Sequence, residues 1–197
     1  MTYRLYNADT LNRYAKDCHE RSVAKGFWNV PHSAGHYLML VISELSEAVE
    51  ADRIGKWAKL DPDTIDTLQR IAGAPYAQEF LREVKDRVED EIADAVIRLL
   101  DLLGWMIEEC GATLVRLDNA RGEFENTAPP KELTDALLRV VCSSVLPFSF
   151  CSTLEAVLAP IKSLEQLCDH LGIDLMTHIE LKLKYNATRP ALHGKKY

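Results

Sequence analysis

Two acidic pairs with helical spacing offer the clearest chemistry in this chain. Glu44 and Glu47 lie three residues apart, and so do Glu91 and Asp94. Residues at i and i+3 are neighbours on one side of a helix, with Cβ atoms about 5–6 Å apart. Four carboxylates with no His or Cys between them suit hard cations such as Mg²⁺ or Mn²⁺ rather than Zn²⁺. From this spacing alone, a metal site and a solvated ribbon of surface salt bridges are both open.

The segment that carries the second acidic pair has the pattern of a buried helix. Apolar residues recur with a 3.6-residue period and leave a narrow polar ribbon, made of Arg87, Asp90, Glu91, Asp94, Arg98 and Asp101. Buried carboxylates need a cation as partner. Arg87 and Arg98 can serve some of these acids but not easily all of them. A di-iron carboxylate bundle is excluded because no Glu-x-x-His motif occurs in the chain.

The C-terminal end is basic in a chain of net charge −7. Lys182, Asn186 and Arg189 are spaced i, i+4 and i+7, which predicts one face at the end of a helix that Pro190 terminates. A point charge, an amide and a guanidinium fork suit a polyphosphate. Alternatively, the cations only complement the dipole at the helix C-terminus, which contributes about 0.3–1 kcal/mol each.

The elements that must position these residues are all predicted to be helices. Helical periods cover residues 8–24, 35–53, 78–109, 131–144 and 152–171, with a short helix between Pro62 and Gly73 and a last helix after Asp174. We find no alternating strand pattern. The sequence therefore predicts one all-α domain that spans residues 1–197.

Composition narrows the class of protein. The chain has 47% hydrophobic residues, no N-terminal secretory pattern and no run of about 18 apolar residues, so we expect no membrane partner. Its net charge of −7 argues against a nucleic-acid binder, which needs a basic face. Five cysteines without a CxxC pair indicate reduced core thiols in a cytoplasmic protein.

Taken in order, these motifs resemble the all-α nucleoside triphosphate pyrophosphohydrolases of the MazG-like superfamily. The resemblance lies in Glu44-x-x-Glu47, in Glu91-x-x-Asp94, in the run from Lys182 through Asn186 to Arg189-Pro190 with His193-Gly194-Lys195, and in Lys25-Gly26-Phe27-Trp28. It implies a helical bundle, to which this chain is expected to add extra helices in its C-terminal half. The long stretches 55–83 and 122–171 depart from compact members of the group.

The resemblance also implies an activity and roles for single residues. It implies cleavage of a (deoxy)nucleoside triphosphate to the monophosphate and pyrophosphate, with Mg²⁺, or Mn²⁺ as a substitute, held by Glu44, Glu47, Glu91 and Asp94. We assign the orientation of the attacking water to Glu47. The phosphates would be bound by Lys182, Asn186, Arg189 and Lys195.

Other expectations concern the base and the assembly. Phe27 and Trp28 are candidates for stacking on the base, with Trp105 as a weaker one, although two aromatics after Gly26 also suit a core. A dimer is expected, since such bundles commonly form from two or more subunits, unless the helices within 122–171 replace a partner. A catalytically silent nucleotide- or partner-binding module and a phosphoribosyl-nucleotide pyrophosphohydrolase are the alternatives.

Overall fold

All regular secondary structure in the described residues is helical. The computed structural model describes residues 5–111, 122–150 and 153–194. Within those ranges there is no strand, and the helices are α1 (Ala8–Ala24), α2 (Ala34–Arg53), α3 (Pro62–Arg70), α4 (Gly73–Glu83), α5 (Val88–Cys110), α6 (Leu133–Phe150), α7 (Thr153–Leu171) and α8 (Leu175–Thr188), followed by a 3₁₀ turn (Ala191–Gly194). The all-α prediction is therefore confirmed. None of these helices is long and apolar enough to cross a bilayer.

Short polar side chains explain why several helices begin where the sequence predicts. The first turns of α1, α2, α3 and α8 each donate a backbone N–H to a cap, and these caps are Asn7, Ser33, Asp61 and Asp174. Such a cap replaces the missing intrahelical partner of the first N–H groups. The predicted bounds of α1, α2 and α7 are accordingly confirmed to within one residue. Helix α6 runs six residues beyond its predicted end, through Pro147.

The predicted helix 78–109 is wrong, because the chain breaks it into α4 and α5. Asp86 adopts a left-handed conformation with φ 58°, which an α-helix cannot contain. Its backbone N–H donates to Asp90 Oδ2 at 3.1 Å, and the Val88 N–H donates to the Lys56 carbonyl at 3.1 Å. Three acids in the first turn of α5 are favoured by the positive end of the helix dipole. The break therefore places Asp90 and Glu91 at the start of a new helix.

Helix α5 lies at the centre of the bundle. It packs against α1, α2, α7 and α8, while α6 packs on α7 and α2. At Gly104 a Cβ atom would come within 2.4 Å of the Ala15 carbonyl oxygen, so the absence of a side chain allows α1 to approach α5. A smaller cluster joins α3 and α4 to α8 through Leu68, Tyr76, Phe80, Val84 and Leu181.

The cysteine prediction is confirmed in part. Among the described cysteine side chains, Cys18 and Cys168 are buried free thiols, as expected. Cys142 is also a free thiol but lies exposed on α6, so it is not a core residue. A buried thiol is inert mainly because burial disfavours the thiolate, and burial raises the pKa of both Cys18 and Cys168.

Candidate functional site

Three of the four predicted acidic residues meet where α2 packs on α5. Glu44 comes from α2, and Glu91 and Asp94 come from successive turns of α5. One carboxylate oxygen of each lies within 4.8 Å of the others. Glu44 is 3% exposed and Glu91 is 2% exposed. Packing of two helices thus brings Glu44 to two carboxylates that lie 47 and 50 positions later in the chain.

Cations of the protein partly neutralise this acidic cluster. Arg98 donates to Glu44 Oε1 from Nε at 2.7 Å and from Nη2 at 2.6 Å. The Lys182 ammonium lies 2.6 Å from Asp90 Oδ1 and 2.8 Å from Asp94 Oδ2. Charge-assisted bonds of these lengths are strong, and buried acids without them would be costly.

Glu91 has the weakest compensation of the cluster. Its Oε1 lies 3.4 Å from Lys85 Nζ, and its buried Oε2 has no hydrogen-bond partner among the described residues. Burial and the neighbouring charge of Asp90 raise the pKa of Glu91 to about 8. Burial also opposes ionisation of Asp94, but the adjacent Lys182 ammonium brings the pKa of Asp94 below its usual value. An orphaned buried oxygen of this kind marks a place for a further cation or proton.

The structure does not bring Glu47 into the acidic cluster. Glu47 is exposed on α2, and the group of acids within ligand distance contains Glu44 but not Glu47. Three residues along an α-helix turn the side chain by about 300°, so Glu47 points about 60° away from Glu44. The prediction that Glu47 is a ligand that orients water is therefore not supported by its position.

Lys182 is buried, although it was predicted to bind phosphate. It is 0% exposed and contacts acids of α5 instead of presenting its charge to solvent. The face of α8 that carries Lys182 packs on α5, whereas α8 leaves the core only near its C-terminus. Its assignment as a phosphate ligand is therefore corrected to a buried ion pair, because the helix faces the core at this position.

A cleft opens beside the cluster, and the predicted Asn186 and Arg189 line it. Asp94, which belongs to the acidic cluster, and Arg98, which pairs with Glu44, also line the cleft. Its lining is completed by Ser22, Phe27, His32, His36, Tyr37, Leu40, Ile97, Asp101 and His193. Asn186 Oδ1 is buried without a hydrogen-bond partner in the described part of the chain. The cleft measures about 90 Å³, room for a few water molecules.

The turn after α8 forms one wall of the cleft. Lys25 donates to the carbonyl of Ala187 at 3.2 Å and to that of Arg189, and Leu192 donates its N–H back to the Lys25 carbonyl at 2.9 Å. Arg189 Nη2 donates to the His193 carbonyl at 3.0 Å. Burial, together with the Arg189 charge, lowers the pKa of His193 to about 4, so this imidazole is neutral at pH 7. Lys195, the fourth predicted phosphate ligand, lies outside the described residues.

The two aromatic candidates for base stacking have different surroundings. Phe27 lines the cleft and makes an edge-to-face contact with His193, with ring centroids 5.1 Å apart. Trp28 stacks on Tyr37 at 4.4 Å and on Trp105 at 5.6 Å, and His19 contacts it edge-on at 4.8 Å. The ring packs against the hydrophobic core and is not among the residues that line the cleft. This position does not support the prediction that Trp28 stacks on a base.

Sequence reasoning did not assign roles to Asp90 and Asp101. Asp101 accepts from Trp28 Nε1 at 2.9 Å and lies 2.9 Å from His19 Nδ1, so it anchors the aromatic stack behind the cleft. Asp90 pairs with Lys182. Both belong to the polar ribbon of an otherwise apolar helix, and this position was the sequence signal that could have indicated a buried polar role. One helix alone could not show which partner each ribbon residue would meet.

The chemistry of these donors fits a hard divalent cation. Three carboxylates from two rigid helices lie close enough to share one ion, and Glu91 Oε2 has a free acceptor position among the described residues. Carboxylates in such a set are typical ligands of Mg²⁺ and Mn²⁺. No family model matches the chain, and neither the curated proteins nor the solved structures contain a significant match. The site is therefore interpreted from its own geometry.

Proposed function

We propose that this protein is a metal-dependent nucleotide pyrophosphohydrolase. It would cleave a (deoxy)nucleoside triphosphate to the monophosphate and pyrophosphate. The observation that carries the proposal is the carboxylate cluster of Glu44, Glu91 and Asp94 beside a cleft with two guanidinium groups. The ordered motifs that resemble MazG-like pyrophosphohydrolases support the same conclusion.

Each part of the site has a role in this reaction. Glu44, Glu91 and Asp94 would hold Mg²⁺ or Mn²⁺. When bound, the ion neutralises phosphate oxygens and activates water. Asp94 is the acid of the cluster that lines the cleft, so the residues that would hold the ion border the space proposed for the phosphates.

The cleft residues bind and orient the substrate. Arg189 presents a guanidinium group that suits phosphate oxygens, and Asn186 adds an amide. Arg98 is paired with Glu44 and contributes its positive charge to the same cleft. Phe27 provides an apolar wall for the base. Because the cleft encloses only about 90 Å³, a nucleotide must open it or extend outside it. We therefore place the phosphates in the cleft and part of the nucleoside at its rim.

The direct test is a panel of nucleoside triphosphates, a diphosphate and a phosphoribosyl-nucleotide, incubated with Mg²⁺ and separated by chromatography. We expect pyrophosphate to be the released group and activity to stop with chelator. Release of single phosphate would contradict the proposed bond cleavage. Nucleotide binding without hydrolysis would instead favour a silent binding module, in which Lys182 and Arg98 already neutralise the acids.

Substitution of a metal ligand tests the residues. Asp94→Asn should lower kcat by on the order of 10²-fold or more, the scale of losing a group that stabilises the transition state. Asp66→Asn is the matched control, because Asp66 pairs only with Arg70 on the exposed face of α3 among the described contacts. Equal activity of both variants would exclude the cluster from catalysis. Glu47→Gln distinguishes three ligands from four, since a comparable loss would mean that its exposed carboxylate turns inward.

A further inference from the structure

Lys182 is the most unusual ionisable group in the described chain. A lysine is almost never fully buried unless it is paired, yet Lys182 is 0% exposed. Its ammonium bridges Asp90 and Asp94, whose side chains are 0% and 19% exposed. The second of these is a proposed metal ligand. A fixed positive charge therefore lies against the metal site from the side of α8.

The packing around Lys182 holds it in place. Its ammonium lies 5.7 Å from the centroid of the Phe80 ring, and the Tyr76 hydroxyl donates to the carbonyl of the preceding residue, Leu181. Tyr76 and Phe80 belong to α4, which packs on α8. A lysine confined in this way cannot swing to a phosphate in the cleft without leaving Asp94 with no ion-pair partner among the described residues and Asp90 with only Lys85 at 3.6 Å.

The charges of the acidic region need such a counter-ion. Once Glu91 is ionised, as a metal ligand must be, four acids carry negative charge against three cations: Glu44, Asp90, Glu91 and Asp94 against Arg98, Lys85 and Lys182. Lys85 also pairs with Asp86. Arg98 is occupied by Glu44, and Lys85 lies 3.6 Å from Asp90 and 3.4 Å from Glu91. Only Lys182 contacts Asp94 among the ion pairs of the described residues.

We infer that Lys182 is a positioning residue that acts as a built-in cation of the metal site. It keeps Asp90 and Asp94 in place when no metal is bound, and its charge weakens the binding of a divalent ion. This inference rests on the proposed metal-dependent function. It predicts that removal of Lys182 destabilises the metal-free protein but tightens metal binding. A phosphate ligand would show neither effect, because it would act on the substrate.

The test compares Lys182→Met with the wild type, using Mn²⁺ alone as the probe. In chelator, the variant should melt on the order of 10 °C lower, since it leaves two acids without their partner. Calorimetric titration should give a Kd for Mn²⁺ about tenfold lower, because a unit charge beside the ion is gone. Saturating Mn²⁺ should then raise the Tm of the variant more than that of the wild type.

Lys184→Met is the matched control on the same helix. Lys184 donates to the carbonyls of Leu68 and Gln69 at 2.8 and 2.9 Å, away from the acidic cluster. Lys184→Met removes the same charge as Lys182→Met but at a position that does not contact the acids. We therefore expect an unchanged Kd for Mn²⁺. An equal gain of affinity in both variants would mean that net charge, and not the position of Lys182, controls the ion.

A charge-balanced variant keeps the inference testable if Lys182→Met does not fold. Lys182→Met combined with Asp90→Asn removes a cation together with one of its carboxylates, which is often nearly neutral for stability. This double variant should melt above Lys182→Met but below the wild type in chelator, because Asp94 still lacks its partner, and it should still bind Mn²⁺ more tightly. An Mn²⁺ affinity that is unchanged or weaker, in whichever variant folds, overturns the inference. Absence of Mn²⁺ binding in the wild type overturns the metal site itself, while tight binding without hydrolysis overturns only the proposed activity.

Discussion

Glu91→Gln should make the metal-free protein more stable than the wild type at alkaline pH. The pKa of Glu91 is raised from 4.5 to about 8, first by burial and then by the charge of Asp90. Between these two pH values the folded protein binds more protons than the unfolded chain. The free energy of unfolding of the wild type therefore falls as the pH rises through this window. Gln remains neutral, so the variant escapes this loss.

The size of the effect follows from the pKa change. A rise of this extent corresponds to about 4–5 kcal/mol. Because the charge of Asp90 contributes to this rise, and the pKa of Asp90 is itself raised by burial, we expect about half of it, or about 2–3 kcal/mol. For a chain of this length that is a difference in Tm of roughly 5–10 °C. The difference should be nearly absent at about pH 5 and complete above about pH 8.

The assay is a series of thermal melts in chelator from pH 5 to pH 9. Comparison of the two proteins at each pH cancels the titration of the groups that do not interact with Glu91. Glu47→Gln is the matched control, because Glu47 is exposed one turn from Glu44, and its melts should follow the wild type. A lower Tm for Glu91→Gln at pH 9 would refute the reasoning, since it would show that Lys85 stabilises an ionised Glu91. Excess Mg²⁺ should raise the Tm of the wild type at pH 9 and leave Glu91→Gln nearly unchanged.

Two further predictions concern the cleft and the assembly. Arg189→Ala and Asn186→Ala should raise KM, by about tenfold for the arginine, while Arg139→Ala on the exposed face of α6 should not. The KM of the wild type should also increase with salt, and a salt-independent KM would exclude electrostatic capture. The second half of α6 is a candidate interface for the predicted dimer, because it exposes several apolar side chains, among them Leu146 at 56%. Leu146→Glu should shift the mass in light scattering from a dimer to 22.2 kDa, whereas Leu81→Glu on α4 should not, and a wild-type monomer would contradict the prediction.

Helix positions were largely predictable because their signals are local. The caps Asn7 and Ser33 and the Pro62 start of α3 act within one turn, so the sequence near each end suffices. The break before α5 was not predictable in this way. It depends on a left-handed Asp86 and on a hydrogen bond from Val88 to distant Lys56. Apolar periodicity continued through the break and concealed it.

The candidate site shows the same division. The residue types and helical spacing of Glu44, Glu91 and Asp94 were enough to predict hard-cation ligands, because that preference is a property of carboxylates. Spacing also predicted that Asn186 and Arg189 share a face, and both line the cleft. These conclusions needed only chemistry and the geometry of a single helix.

Tertiary structure decided which face of each helix is buried and what it meets there. Lys182 has the spacing of a phosphate ligand, but α8 turns it onto α5, where two acids compensate its charge. Trp28 has the chemistry of a base-stacking residue, but its ring stacks on Tyr37 and Trp105 of the core. Glu47 differs from Glu44 only by its angle on α2, and that angle leaves it exposed. The sequence by itself determined most helix positions and the side-chain types of the candidate site, because local signals and residue identity suffice for both. Burial and pairing of charges arise between helices, so only their packing could decide them.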